Sequence, residues 1–161
     1  DGLPFNSTAA AGARPWMGPK FWCPEMVNIA DHNNTKVFRY ADAILMMAEC
    51  YLELDDTDNA MRYLNMVKDR AQIARYETFK NYDHLHEEIE RERARELFGE
   101  FQRKYDLVRW GSWYRQTFDY TDYKSLQDNI LPCHEYYPIP DKEVTYSGNA
   151  LDNDAYAEWG L

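Results

Sequence analysis

An all-α fold is what this sequence predicts, and three observations carry the prediction. Phe38, Ala41, Leu45, Ala48 and Leu52 recur at steps of three and four, the spacing that lines one face of a helix. The same period returns in Ala60, Leu64, Val67, Ala71 and Ala74, after a break at Asp55-Asp56-Thr57-Asp58. A third face runs from Leu85 and Ile89 into Glu92, Glu96 and Glu100, an apolar stripe that turns acidic along one side of a helix.

Taken in chain order, residues 1–36 hold four of the seven prolines and three of the seven glycines, together with an Asn33-Asn34 pair. They show no sustained period and read as an irregular lead-in. A loop of this length without elements of its own is rare inside a compact domain. The expectation is therefore a lead-in continuous with chain that precedes Asp1, followed by a helical domain over 37–161. The first helix should end near Leu54, and the acidic break offers an N-cap for the second. Two helices joined by so short a connection form an αα-hairpin, the unit of tetratricopeptide-like folds. No second copy follows at the repeat length, so a repeat array is not indicated. The third helix should begin at Tyr82 or Asp83, with Asp83 as its cap, and run to about Phe98. Beyond Gly111 the aromatic-rich stretch from Trp113 to Tyr123 reads as an irregular loop, and Pro138 and Pro140 stiffen an extended segment that cannot be helical.

Composition narrows the function. The 161 residues carry 18 Lys and Arg against 28 Asp and Glu, a formal net charge of −10. Nucleic acid needs a basic stripe that this balance does not supply. Aromatics make up 16% of the chain, with 13 Tyr and 5 Trp, more than a core of this size requires. Some rings should therefore lie near the surface, where a flat apolar face with a polar edge suits sugar rings or another protein. Cys23, Cys50 and Cys133 are an odd set without CxxC spacing, so neither a disulfide framework nor a zinc site is indicated, and at most one pair could form. No apolar run approaches the ~18 residues that span a bilayer, and Asp1-Gly2-Leu3-Pro4 has no features of a signal peptide.

Four groups of residues stand in fixed order: Arg39-Tyr40-Ala41-Asp42 with Leu45-Met46 and Ala48-Glu49; Leu64-Asn65, Val67 and Arg70-Ala71; Glu92-Arg93, Glu96-Leu97, Glu100, Arg103, Asp106-Leu107 and Arg109-Trp110-Gly111; and Tyr137-Pro138-Ile139-Pro140 with Glu143. In order and spacing they resemble the C-terminal region of the SusD/RagB family. The departures are Phe101, where many members have Gly, and a closing Asn149, Leu151, Asn153 and Tyr156 that echoes the family ending only loosely. The resemblance implies an all-helical, non-enzymatic protein that captures oligosaccharide or another nutrient at the cell surface. It further implies a lipid anchor on the outer membrane, at an N-terminus preceding Asp1, and a partner in a SusC-like TonB-dependent transporter. No cofactor is implied. The reading of another class is a tetratricopeptide-like scaffold that binds peptide or protein.

The residues themselves are consistent with binding more than with catalysis. Trp113, Tyr114, Phe118, Tyr120 and Tyr123 crowd one segment among Ser, Thr, Gln and Asp, which are the materials of a carbohydrate platform. Trp113, Tyr114, Tyr120 and Tyr123 are the first candidates to hold a ligand, and Trp16 with Trp22 form a second candidate pair. Glu88 and Glu92 are the tempting acid pair for glycoside hydrolysis, but acids beside Arg on a helix are usually ion-paired. His84 and His86 diverge by roughly 200 degrees on a helix, which rules against their sharing a metal. The stripe of Glu92, Glu96 and Glu100 is expected to point inward, neutralised by arginines from among Arg39, Arg93, Arg103 and Arg109, because a charge removed from water must be paired. Arg39 is expected to be the buried partner. Such a network would be structural.

Overall fold

The computed structural model describes Lys20 and residues 36–160. Residues from Phe38 onward form one compact unit, and among the described residues it is helical throughout. Its elements are α1 (Tyr40–Glu53), α2 (Thr57–Arg70), α3 (Tyr82–Glu96), α4 (Arg103–Arg109), α5 (Trp113–Tyr120), α6 (Lys124–Asn129), a 3₁₀ turn (Pro132–Glu135), α7 (Asp141–Tyr146) and α8 (Asp154–Ala157).

Helices α1 and α2 form the expected hairpin. Leu45, Ala48 and Leu52 of α1 are fully buried against Ala60, Leu64 and Val67 of α2, and Leu85 and Ile89 of α3 close the same core. Phe38 does not belong to that face: it precedes the helix and is exposed, because Arg39 is still extended and the helical period begins only at Tyr40. The turn between α1 and α2 needs Asp55 in the left-handed region, at φ 58°. Asp56 then caps α2, its carboxylate accepting from the Asn59 backbone N–H at 3.1 Å.

Helix α2 stops earlier than its apolar pattern suggests. Gln72 turns left-handed at φ 56°, and Ala71 and Ala74 lie exposed beyond the helix. The chain that follows has no regular element and is held by a side-chain clamp from within α2. Asn65 donates its amide N–H to the Tyr76 carbonyl at 2.9 Å and accepts the Tyr76 backbone N–H at 2.7 Å. A carboxamide that pairs both ways stands in for a neighbouring strand, and it satisfies a backbone unit that no helix serves.

The cap of α3 is Asn81, whose side chain accepts from the His84 backbone N–H at 3.0 Å; Asp83 comes two residues later and lies inside the helix. The helix ends at Glu96 rather than Phe98, since Gly99 and Phe101 both take positive φ, 76° and 63°. Glycine adopts that conformation without strain, whereas a phenylalanine does so at a cost. The aromatic stretch after Gly111 is not a loop. It folds as α5 and α6, packed so that Trp113 and Ile130 join Leu107 in a second small core, with Val108, Trp110 and Tyr114 against it.

Candidate functional site

The charged motif residues meet where α1, α3 and α4 come together. Arg93, buried on α3, donates from Nε to the Asp106 carboxylate at 2.8 Å, and its Nη2 lies 2.9 Å from Asp42 Oδ1. One guanidinium thus stands between carboxylates from α1 and α4. The pairing is incomplete, because Arg93 Nη1 and Asp42 Oδ1 are buried without a hydrogen bond. A second link joins the same helices. Glu49 of α1 accepts from both outer nitrogens of Arg109 and from the Trp110 indole N–H, the latter at 2.8 Å, while Arg109 also reaches Asp106 at 3.0 Å. The alternation Asp42, Arg93, Asp106, Arg109, Glu49 is a continuous chain of opposite charges.

Glu92, Glu96 and Glu100 are turned inward, though not all toward the partners named above. Arg39 holds Glu96 at 2.8 Å and Glu100 at 2.8 Å, and Glu96 is also paired with Arg70. The Arg39 side chain keeps 20% of its surface in water, so it closes the edge of the cluster and is not its buried centre. Glu92 pairs with Arg95 at 2.7 Å and has Lys68 at 4.0 Å. Arg109 serves Glu49 and Asp106, away from the stripe. Among the described residues Arg103 meets no carboxylate within salt-bridge distance: it donates to the Glu90 carbonyl at 3.3 Å and to Gln116 Oε1 at 2.9 Å. Burial draws its guanidinium below the usual range, against the pull of nearby Glu90 and Asp106. The reason spacing misassigned both arginines is that α4 turns away from α3 after Phe101, which carries them off the line of that helix.

Glu88, the other tempting acid, lies in a nest of donors. Burial alone would raise its pKa, yet hydrogen bonds from Tyr76 and Arg91 and the charge of Arg95 bring it below the ordinary carboxylate range. The same holds for Glu49, where burial is outweighed by Arg109 and the Trp110 indole. The partner of Glu88 responds in kind: burial and that carboxylate push the Tyr76 phenol up to about 12. A depressed carboxylate pKa means that the unfolded chain binds protons more readily than the folded one. The contribution of Glu49 and Glu88 is therefore complete above the ordinary carboxylate pKa of about 4.3 and is lost as pH falls through their lower folded values. Thermal melts across that range are expected to show a falling Tm on acidification, and Glu49→Gln with Glu88→Gln should flatten the slope.

An open groove of about 1130 Å³ lies between α3 and α5. His86, Glu90, Arg103, Trp110, Gln116 and Tyr120 are among its lining residues. Its floor is cross-linked: Gln116 donates to Glu90 at 3.3 Å and to Ser112 at 3.0 Å, His86 Nδ1 lies 3.3 Å from Glu90, and the His86 ring stands edge-on to Trp110 at 6.0 Å. Arg109 and Arg103 lie over the Trp110 ring at 4.6 and 5.6 Å. A smaller slot of about 460 Å³ lies between Tyr136, Tyr137 and Trp159. There Asn153 repeats the Asn65 device: it accepts from the Ile139 N–H at 2.8 Å and donates to the Ile139 carbonyl at 2.9 Å, fixing the proline-flanked segment.

Of the expected ligand-binding rings that lie among the described residues, Tyr120 alone lines the groove, 81% exposed. Tyr123 is exposed at the start of α6, away from it, and Tyr114 packs beside Phe118 at 6.0 Å. Trp113 is buried in the second core, on an inner side of α5 that the loop reading lacked. Trp16 and Trp22 lie outside the described residues, as do Cys23 and residues 1–19 and 21–35 generally. Trp110 and Gln116 were missed as groove residues. In sequence Trp110 stands beside Arg109, a signal that the motif reading assigns to scaffold, and Arg103 joins it only in the fold. Cys50 and Cys133 are free thiols, the first exposed and the second buried.

Comparison with known proteins bears on these arrangements. The profile of the SusD family matches residues 25–156. SusD-like protein P25 of Formosa agariphila is 38% identical over 149 residues, covering 88% of this chain and 28% of that protein. The crystal structure of a SusD superfamily protein from Bacteroides vulgatus superposes with a TM-score of 0.60 at 32% identity, over 70% of this chain and 25% of that one. The chain thus spans about a quarter of the length of the relatives it matches. With its helical hairpin, its charged junction and its clamped proline segment all falling within the matched region, the chain belongs to the SusD family.

Proposed function

We propose that this chain is part of a nutrient-binding, non-enzymatic protein that captures oligosaccharide at the cell surface and presents it to a SusC-like TonB-dependent transporter. In this reading the protein is held to the outer membrane by a lipid anchor; among the described residues no helix is long and apolar enough to cross a membrane. Membership of the SusD family supports the general role. The observation that carries a ligand site in this part of the protein is the α3–α5 groove, where exposed Tyr120 stands among amide, guanidinium, imidazole and carboxylate groups. Sugars need both kinds of surface, a ring face to stack on and mixed donors and acceptors for hydroxyls. The charged junction of α1, α3 and α4 is assigned a structural role, since its carboxylates are spent on arginines and the Trp110 indole and leave no free acid to act on a glycosidic bond.

Glycan-array screening followed by calorimetry on the full polypeptide tests the reading. Tyr120→Ala is expected to weaken the best glycan by about 1 kcal/mol, roughly fivefold in Kd, with the melting temperature unchanged. Unaltered affinity would remove the site from this groove. Release of reducing sugar by the wild-type protein would overturn the non-enzymatic role.

A further inference from the structure

The slot between the 3₁₀ turn and α8 differs from the α3–α5 groove in charge. The groove mixes both signs, with Arg91, Arg103 and Arg115 set against Asp83, Glu90 and Asp119. The slot carries one. Tyr136, Tyr137, Tyr156 and Trp159 line it together with Glu135, Asp152 and Glu158, and no lysine, arginine or histidine is among its lining residues. Asp152 is engaged in its own turn, where it accepts the Asp154 N–H at 3.1 Å. The Glu135 and Glu158 side chains make no ion pair or hydrogen bond among the described residues. A cleft lined by carboxylates alone focuses its field on whatever cation enters it.

The rings favour the same kind of partner. Tyr136 and Trp159 are exposed and stack on no other ring or cation among the described residues, so their electron-rich faces are free. Tyr137 shows what such a face takes, since Lys104, from outside the slot, lies over its ring at 4.1 Å. The walls are held in place: Asn153 clamps Ile139, the Tyr156 hydroxyl donates to the Tyr136 carbonyl, and His134 packs on the Tyr156 ring at 5.9 Å. The slot is therefore built by the chain itself.

We infer that this slot binds a protonated amino sugar, with the ammonium paired to the carboxylates and the C–H face of the sugar on the rings. Three considerations choose this occupant. Among the described residues no group of acids, histidines and cysteines converges to hold a metal ion. A neutral sugar leaves Glu135 and Glu158 without a counter-charge. A lysine side chain from a peptide is thin and leaves much of the 460 Å³ unfilled, whereas a sugar ring that bears an ammonium uses the volume, the ring faces and the charge together. The inference stands apart from the α3–α5 groove and does not rest on that site.

Calorimetry on the full polypeptide tests it, at low ionic strength in mildly acidic buffer, with the glucosamine trimer and its fully N-acetylated counterpart as probes. Acetylation keeps the rings and removes the charge. The glucosamine trimer is expected to bind at least about tenfold more tightly than the acetylated one. Trp159→Ala, and Glu135→Gln combined with Glu158→Gln, should each weaken it at least about fivefold. Asp58→Asn, which removes an exposed charge from α2, and Tyr120→Ala in the groove should leave it unchanged. No binding of the glucosamine trimer, or equal affinity for the acetylated one, would overturn the inference. Full affinity in the double glutamate variant would do the same, and so would an equal loss in Asp58→Asn, which would mark general attraction to an acidic protein. A loss in Tyr120→Ala would move the sugar to the groove, and tighter binding of trilysine would make the slot a peptide site; either result overturns the assignment. Because both glutamates are unpaired, their double variant should melt as the wild type does, and it decides the matter should Trp159→Ala fail to fold.

Discussion

Replacing Arg93 with alanine is expected to destabilise the fold by about 3–5 kcal/mol, the cost of removing one member of a buried ion pair. Arg93 is 4% exposed and, among the described residues, is the one cation within salt-bridge distance of Asp42, so its loss strands that carboxylate in the interior and leaves Asp106 with Arg109. Urea denaturation is the measurement, read as a fall in midpoint at constant slope. Arg39→Ala makes the instructive contrast. Its side chain remains partly in water at the edge of the cluster, and Glu96 retains Arg70 when it is gone, so the expected loss is well below that of Arg93. Equal losses would mean that burial does not rank these arginines.

Trp113→Ala is expected to cost about 3–5 kcal/mol, as deletion of a buried indole does. The second core is small, with Leu107 and Ile130 as its other buried members among the described residues, so Trp113 supplies much of its buried volume. The loss should be visible in calorimetry as a lower Tm and, by hydrogen exchange, as faster opening of α4 to α6 with α1 and α2 little changed. Glycan affinity per folded molecule should stay at the wild-type value. A stable Trp113→Ala that binds glycan poorly would return this ring to the ligand site.

Much of this architecture is written in local pattern, and the parts that are not share a cause. Leu45, Ala48, Leu52, Leu64, Val67, Leu85 and Ile89 are read correctly because a helical period states both the element and its buried face. The ends of α2 and α3 escape that pattern. The end of α2 is set by Gln72 in a left-handed conformation, which that residue type does not announce, and α3 stops before Gly99 and Phe101, of which only the glycine is a residue type that signals positive φ. Trp113 was misread for a related reason. Helix α5 spans only two turns, too short for a period to establish itself, so its rings looked like loop aromatics. The charged junction was half legible. Inward turning of Glu92, Glu96 and Glu100 follows from their place below Leu85 and Ile89, whereas the arginines that meet Glu96 and Glu100 are Arg39 and Arg70, a long-range fact that spacing does not contain. In the groove the exposed tyrosine was visible in sequence, but Gln116 and Trp110 became neighbours of Tyr120 only once α5 was folded against α3.

The central claim is that the charged residues of the family motifs fasten α1, α3 and α4 together and do no chemistry on a ligand. A double-mutant cycle between Arg93→Met and Asp106→Asn measures it most directly, with stability from urea denaturation and glycan affinity recorded for all four proteins. The account expects a coupling energy of about 1–3 kcal/mol in stability and an unchanged Kd for each variant that folds. Additive effects on stability, within about 0.5 kcal/mol, or a selective loss of binding in a stably folded variant, would contradict it.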